Sequence, residues 1–240
     1  MRVAPVGPGM YEAVHAHPDG GSTVARYART AARYGFEGVV VRAREATPDF
    51  GRLREALPVD VVDAVEVVAS DPQHASGAVG NYRPKHELVL VRGGTPALNR
   101  FAVEQDRVDV LTRPLADEGD VNHVLVRAAR EHGVRIEFDF GPVLRRDGGA
   151  RVRHLQALAK LRRLVAKYDA PYVVSATPTS HLELRAPREL RAVAAEVGFD
   201  PEWIDEGLAE WGHLAVRNRE RRSESFIAPG VKRGPYEEDA

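Results

Sequence analysis

Short apolar runs rich in valine alternate with longer stretches of helical periodicity along most of the chain. The runs are apolar at nearly every position, which is typical of parallel strands that helices cover on both faces. Seven such runs are visible, at residues 12–15, 38–41, 59–68, 87–91, 108–111, 134–138 and 172–174. An eighth could be degenerate. This alternation predicts βα units built around a parallel sheet.

Capping residues mark the ends of the intervening helices. Ser22, Thr95 and Asp120 are predicted N-caps, and Pro96 after Thr95 suits a first helical turn. Gly35 and Gly133 follow two of these helices where a left-handed C-cap is expected. The predicted helices are residues 23–34, 97–104, 121–132, about 151–168, 187–197, and a last one capped by Asp200 and running through residue 210.

Repeated βα units of this size close most economically as a barrel. We therefore predict an α/β fold, a TIM-like (β/α) barrel of seven or eight strands, as a single domain over residues 1–217. A doubly wound open sheet is the alternative, because the pattern alone separates the two poorly. From residue 218 the periodicity is lost, which predicts a flexible basic and acidic C-terminal tail over residues 218–240.

Composition narrows the class of protein. The 240 residues are 43% hydrophobic and include no cysteine, so disulfides, thiolate metal sites and cysteine nucleophiles are excluded. No apolar run approaches the roughly 20 residues of a membrane helix, and no signal peptide is visible, so we expect a cytoplasmic protein without membrane contact. Net charge is −1, but of 34 basic residues only four are lysines. Arginine suits phosphate recognition, although a GC-rich genome would also enrich it.

A histidine pair ends the first predicted strand. In a barrel this end of the strands carries the active site, and imidazoles at i and i+2 of a strand can share a metal ion. Together with Glu66 and Asp139, which lie near the ends of later strands, His15 and His17 define a possible phosphoesterase metal site. Arg42 and Arg44 would repel a metal there. A hydrogen-bonded structural pair or an RNA-facing pair is therefore the main interpretation.

The helix predicted over residues 151–168 contains six cations and no carboxylate. One of its faces is lined at steps of three and four residues by Arg153, Gln156, Lys160, Arg163 and Lys167. Like charges in such a stripe repel one another, so the pattern favours a phosphate backbone or an acidic partner. A solvated face of an arginine-rich protein is the plain alternative.

Smaller clusters are also cationic. Arg185 and Arg188 flank the start of a predicted helix, where free N–H groups and arginine side chains together suit an anion. The segment 81–86 is a polar loop in which Tyr82 could stack on a base, or a plain surface loop. The turn at residues 142–149 carries two more arginines. No phosphate-cradling glycine loop, dinucleotide fingerprint or nucleophile elbow is present.

Three segments resemble a known family. They are NHVLVRAA at residues 122–129, IEFDFGPVL at residues 136–144 and LRAPREL at residues 184–190. Together with their surroundings, over roughly residues 12–222, they resemble the archaeal protein component 3 family of ribonuclease P. The resemblance implies a TIM-like barrel related to the PHP phosphoesterases, which fits the histidine pair.

The resemblance also implies an activity and partners. In ribonuclease P the RNA subunit uses Mg²⁺ to remove the 5′ leader of precursor tRNA, and this protein, with no cofactor of its own, would support that RNA. Its partners would be the RNA, a small companion protein of the component 2 type and the other protein subunits. Arg100 and Arg185 match positions where the family presents RNA-contacting arginines. Residues 116–118 are Ala, Asp and Glu where some relatives carry cations, so RNA contact there is not expected.

Three functional hypotheses follow. The first is a non-catalytic RNA-binding subunit of ribonuclease P that contacts RNA through Arg100, Arg153, Lys160, Arg163, Lys167, Arg185 and Arg188. The second is a metal-dependent phosphoesterase that uses His15, His17, Glu66 and Asp139. The third is a scaffold whose basic helix meets an acidic protein partner.

Overall fold

The computed structural model describes residues 9–43, 48–223, 226–228 and 231–232. Its parallel strands are β1 (Tyr11–Val14), β2 (Gly38–Ala43), β3 (Asp60–Val67), β4 (Leu88–Arg92), β5 (Val110–Thr112), β6 (Arg135–Asp139) and β7 (Tyr172–Ser175). The helices are α1 (Val24–Tyr34), α2 (Phe50–Ala56), α3 (Pro72–Tyr82), α4 (Pro96–Val103), α5 (His123–His132), α6 (Gly141–Arg145), α7 (Gly148–Tyr168), α8 (Pro187–Ala195) and α9 (Pro201–Arg222). A 3₁₀ turn (His181–Glu183) follows β7, and β8 (Phe226–Ala228) pairs antiparallel with β9 (Val231–Lys232). Within these ranges no helix is long and apolar enough to cross a bilayer.

The seven parallel strands form a nearly closed barrel. They are ordered β1 to β7 in sequence, each paired in parallel with the next, and β1 lies beside β7. A doubly wound sheet would reverse its strand order at a switch point. The barrel prediction is therefore confirmed, and all seven predicted strands are present within one or two residues of their expected bounds.

The seam between β7 and β1 is closed by a buried side chain. The Glu12 carboxylate accepts hydrogen bonds from the Ala176 N–H at 3.0 Å and from the Ser175 hydroxyl at 2.5 Å. Beyond the strand, the His15 N–H donates to the Pro178 carbonyl at 3.0 Å. Burial raises the pKa of Glu12 to about 7, although these hydrogen bonds favour the charged form. Glu12 thus supplies acceptors where the ladder of an eighth strand would run.

Two helices begin later than predicted. The N-cap of α1 is Thr23, whose side chain accepts from the Arg26 N–H. Ser22, the predicted cap, is buried and bonds the His181 ring at 2.8 Å. Likewise Asn122 caps α5, while Asp120 binds another helix. In both places neighbouring residues can serve as caps, and tertiary contacts decide between them.

Other boundaries agree or differ for simple reasons. Thr95 caps α4 as predicted, and Gly35 and Gly133 adopt left-handed conformations with φ of 86° and 65°. Three helices were not predicted: α2, which is seven residues long, α3, whose apolar positions lack a strong helical period, and α6, which occupies the first part of the predicted turn at residues 142–149. The last two residues of that turn, Gly148 and Gly149, begin α7. Asn81 and Tyr82, predicted in a loop, are the last residues of α3.

The largest difference between the predicted and the observed fold is at the C-terminal boundary of the barrel. Helix α9 continues to Arg222, so residues 218–222, predicted as the start of a flexible tail, are helical. The reason is tertiary: Trp211 and Leu214 fill the amino-terminal end of the barrel, and the Asn218 amide donates to the Glu87 carbonyl at 2.8 Å. Residues 224–225, 229–230 and 233–240 of the predicted tail lie outside the described residues.

Candidate functional site

A fully buried arginine occupies the centre of the barrel near the carboxyl ends of the strands. Arg42 on β2 pairs with Glu137 on β6 and lies 3.7 Å from Glu66 on β3. Its guanidinium also lies 5.4 Å from the centre of the Trp211 ring, which belongs to α9. Burial works against its charge, but the two carboxylates outweigh burial and raise the pKa of Arg42. The interior therefore ends in a layer of paired ions.

Glu66 is held in its charged form within this layer. It accepts hydrogen bonds from Arg92 at 2.6 Å and from the Thr112 hydroxyl at 2.9 Å. Burial alone would raise its pKa, but the charge of Arg42, with smaller contributions from His15 and Arg92, lowers the pKa to about 2. Its oxygens are already engaged by protein donors.

The residues proposed as a metal site do not form one. His15 is buried, whereas His17 is exposed beyond the end of β1. Asp139 accepts from the Thr177 hydroxyl at 2.6 Å and from the Gly141 N–H at 2.8 Å, and Glu66 is bound by two arginines. Over the described ranges no group of three or more histidines and carboxylates could hold a metal ion. The donor set does not fit a PHP-type metal centre, because arginine sits beside its carboxylates; Arg44 is outside the described residues.

The basic stripe on α7 is present and faces outward. Arg153, Lys160, Arg163 and Lys167 are exposed, as is Gln156, while the opposite face buries Leu158, Leu161 and Val165. Lys160 pairs with Asp120 at 2.9 Å. In the described part of the chain the other three stripe cations have no ion pair. The stripe presents positive charge that the protein does not neutralise.

The start of α8 is less open to an anion than its sequence indicates. The Ala186 N–H donates to the Glu189 carboxylate at 2.7 Å, which places a negative charge at this N-terminus. Arg185 is half-buried and donates to the carbonyls of Leu182 and Leu184, so it braces the loop after β7. Arg188 is exposed. Of the two, Arg188 is the more available cation.

Arg100 lies apart from the stripe. It is exposed on α4 and pairs with Glu104 one turn later at 2.8 Å, and α5 lies between α4 and α7. The predicted RNA-contacting residues are thus brought together only in part. Four share one helix, while Arg100 and the α8 pair belong to other parts of the barrel surface.

A second cationic face, which was not predicted from the sequence, lies on α1. Arg26, Arg29 and Arg33 are exposed on α1 at steps of three and four residues, and α1 contains no carboxylate. The criterion applied to α7 would have found it. A further arginine, Arg113 after β5, joins Arg145 and Arg146 at the mouth of the barrel, a cluster that only the tertiary fold assembles.

These features define a class: an α/β barrel with an ion-paired interior, one end plugged by a helix, and an arginine-rich outer surface.

Comparison with known proteins identifies one family. The sequence model of the family described as RNase P subunit p30 matches residues 10–224. Proteins called ribonuclease P protein component 3 are 60% identical in Halorubrum lacusprofundi, covering 96% of this chain and 100% of the relative, and 54% identical in Haloarcula marismortui, covering 96% and 98%.

Solved structures share the fold. A chain of an archaeal ribonuclease P solved by cryo-EM with mature tRNA superposes with a TM-score of 0.80 at 23% identity, covering 95% of this chain and 100% of that one. A histidinol phosphate phosphatase from Lactococcus lactis superposes with a TM-score of 0.52 at 9% identity, covering 80% and 94%. The chain belongs to the RNase P subunit p30 family. It is a protein subunit of ribonuclease P, the enzyme complex that matures the 5′ end of tRNA.

Proposed function

We propose that this subunit binds and supports the catalytic RNA and takes no part in the chemical step itself. The RNA subunit then performs the Mg²⁺-dependent hydrolysis, and the chain needs no cofactor of its own. The arrangement around Arg42 supports this division of labour, because Glu66 is bound by two arginines and Asp139 by the Thr177 hydroxyl and the Gly141 N–H.

The stripe on α7 is the observation that carries the RNA-binding role. Arg153, Arg163 and Lys167 are exposed, share one face and have no ion pair within the described ranges, although the Lys167 ammonium lies 5.5 Å from the centre of the Tyr168 ring. Phosphates at the spacing of a nucleic acid backbone would relieve their mutual repulsion and release condensed counterions. Lys160 can exchange its exposed pair with Asp120 for a phosphate at little cost, since exposed ion pairs are weak. Arg100, Arg185 and Arg188 would add RNA contacts on other parts of the barrel surface.

The partners follow from the same assignment. They are the ribonuclease P RNA, a small companion protein of the component 2 type, the other protein subunits and, in the holoenzyme, precursor tRNA. The cryo-EM relative comes from an archaeal ribonuclease P solved with mature tRNA, which supports this set. We place the chain in the cytoplasm, where its RNA substrate is processed.

Cleavage of a precursor tRNA by the cognate RNA and companion protein at limiting Mg²⁺ tests the role as a whole. Adding the metal-stripped chain is expected to stimulate cleavage, and His15→Ala with His17→Ala is expected to leave the stimulation intact. Cleavage by the chain without RNA, or loss of stimulation in the double variant, would move chemistry onto the protein. No stimulation at all would refute the proposal.

A second experiment tests the stripe. Arg153→Ala, Arg163→Ala and Lys167→Ala together are expected to weaken RNA binding and to reduce the slope of log K against log salt by about two. The control removes the same charge elsewhere, with Arg52→Ala, Arg107→Ala and Arg221→Ala, and is expected to change the slope much less. Equal effects of both sets would show nonspecific attraction. Loss of the companion complex with unchanged RNA binding would instead make the stripe a protein interface.

A further inference from the structure

The mouth of the barrel contains two adjoining cavities. One of about 430 Å³ lies above β5 and β6 and beneath the first turns of α7, and another of about 250 Å³ extends towards His15 and Thr177. They share Arg113, Asp139 and Arg146 in their walls. The larger alone has the volume of a small-molecule site. Below, the layer formed by Arg42 and its carboxylates closes the barrel, so the space is a pocket with a floor.

The carboxylates in the floor are already engaged. Glu137 is paired with Arg42 and also accepts the Arg113 backbone N–H at 3.2 Å. Asp139 is bound by the Thr177 hydroxyl and the Gly141 N–H. Their lone pairs face donors of the protein, so they offer little to a cationic ligand. A third carboxylate of the larger cavity, Asp117, is exposed to solvent.

The walls carry cations without such partners. In the described part of the chain no hydrogen bond or ion pair holds the guanidinium of Arg113, Arg146 or Arg153, and all three line the larger cavity. Arg113 is half-buried, whereas Arg146 and Arg153 are exposed. A partly desolvated guanidinium is normally paired, so an unpaired one that lines a cavity indicates a ligand of opposite charge. His154 lines the same wall and donates its Nε2–H to the Asp139 carbonyl at 2.8 Å, so the arginines supply the donors for a ligand.

The backbone at the mouth is also unusual. Arg113 has φ of 49° and Thr177 has φ of 45°, both in the left-handed region that side chains other than glycine seldom adopt. Such conformations persist where surrounding contacts impose them, and they cluster at binding sites. Here the bond from the Arg113 N–H to Glu137 and the bond from Thr177 to Asp139 hold them. The conformation places Arg113 in the walls of both cavities.

We propose that this pocket binds a terminal phosphate group, the dianion of a phosphomonoester carried by a nucleotide. Arginine forks match phosphate oxygens in geometry as well as charge. A terminal group suits a pocket closed below, because a phosphodiester within a strand must leave room for both neighbouring nucleotides. The phosphomonoester can belong to a free mononucleotide or to the 5′ end of an RNA. The pocket adjoins the contact surface proposed for RNA backbone and shares Arg153 with it, whereas Arg113 and Arg146 belong to the pocket alone.

Calorimetric titration of the full chain tests the pocket directly. Adenosine 5′-monophosphate is expected to bind at least about tenfold more tightly than adenosine. Arg113→Gly and Arg146→Ala are each expected to weaken the nucleotide about tenfold. Glycine adopts the φ of residue 113 without strain, so Arg113→Gly removes the guanidinium while the fold is retained, as thermal unfolding can verify. The control Arg107→Ala, an exposed arginine before the opposite end of β5, is expected to bind like the unaltered chain.

Equal affinity for the nucleotide and adenosine, or full affinity in Arg113→Gly, would overturn the proposal. Competition by short RNAs then separates the two sources. If an RNA with a 5′-phosphate displaces the mononucleotide better than free nucleotide does, the ligand is an RNA end; the reverse order indicates a free nucleotide, and both support the pocket. If the RNAs with a 5′-phosphate and with a 5′-hydroxyl displace the mononucleotide equally well, and both do so better than free nucleotide, the proposal is refuted. Because neither Arg113 nor Arg146 belongs to the α7 stripe, failure here leaves the proposed RNA-binding role standing.

Discussion

The two ends of the barrel use arginine in opposite ways. At the amino-terminal end, Arg219 of α9 binds Asp60 at 2.8 Å and Glu87 at 3.1 Å, and Arg217 binds Asp109 at 3.0 Å. These arginines fasten α9 across the strand starts. Their charges are satisfied by carboxylates of the protein, so this end is built for stability.

At the carboxyl end and on the adjoining α7, several arginines are left without partners, although Arg42, Arg92 and Arg145 there are bound by the protein. Arg113, Arg146 and Arg153 line a pocket, and Arg163 lies on the exposed stripe, with no pairing within the described ranges. The difference teaches that a count of arginines carries little functional information. What separates structural from binding arginines is whether the fold supplies a carboxylate for each.

The largest effect is expected where a charge is fully buried. Arg42→Met should lower the free energy of unfolding by about 3–5 kcal/mol, because it leaves Glu137 and Glu66 buried without their cation. Urea denaturation measures it. Adding Glu137→Gln should recover part of the loss, since it removes one of the stranded charges. A loss below about 1 kcal/mol would show that water reaches this layer.

A pH dependence is expected from Glu12. Its pKa is about 7 in the folded chain, against an ordinary value of 4.5, so between pH 4.5 and 7 the folded state binds more protons than the unfolded state. The contribution of Glu12 to stability therefore falls as pH rises through this window, by about 1–3 kcal/mol. Glu66, with its pKa lowered to about 2, contributes stability that is complete above pH 4.5 and is lost only as pH falls towards 2.

Urea denaturation at pH 5 and pH 8 checks this dependence. In Glu12→Gln, whose side chain stays neutral at both values, the difference in stability between pH 5 and pH 8 should shrink. An unchanged difference would mean that Glu12 is charged throughout and that its hydrogen bonds at the seam outweigh its burial.

A moderate effect is expected at the amino-terminal end. Arg219→Ala should cost about 1–2 kcal/mol, because Asp60 and Glu87 lose a half-buried partner. Arg221→Ala, two residues further along the same helix and exposed, should cost less than about 0.5 kcal/mol. Thermal unfolding of both variants makes the comparison. Equal costs would contradict the role of Arg219 in fastening α9.

The smallest effect on stability is expected on the stripe. Arg163→Ala should change the free energy of unfolding by less than about 0.5 kcal/mol while it reduces the salt slope of RNA binding by a little under one. Filter binding across a salt series, paired with urea denaturation, measures both quantities. A stability loss comparable to that of Arg219→Ala would erase the contrast between the two kinds of arginine.

Much of this organisation could be predicted from the chain alone. The valine-rich strands were visible because parallel strands are apolar on both faces, and the α7 stripe was visible because a helix projects residues three and four apart onto one face. Helices α2, α3 and α6 were not predicted, because α2 and α6 are short and α3 is weakly periodic. The metal hypothesis depended on Glu66, whose pairing with Arg42 and Arg92 joins three different strands and is not visible in the sequence.

Residue type and spacing therefore determined the barrel, the arginine-rich surface and, through its motifs, the family. Only the tertiary structure decided which arginines are paired, that Glu12 closes the seam, that α9 extends to Arg222 as a plug, and that Arg113 meets Arg146 across a pocket. The physical reason is the sequence distance over which each kind of interaction acts. Periodicity and capping act between residues a few positions apart, whereas burial and ion pairing depend on neighbours tens of residues away in sequence.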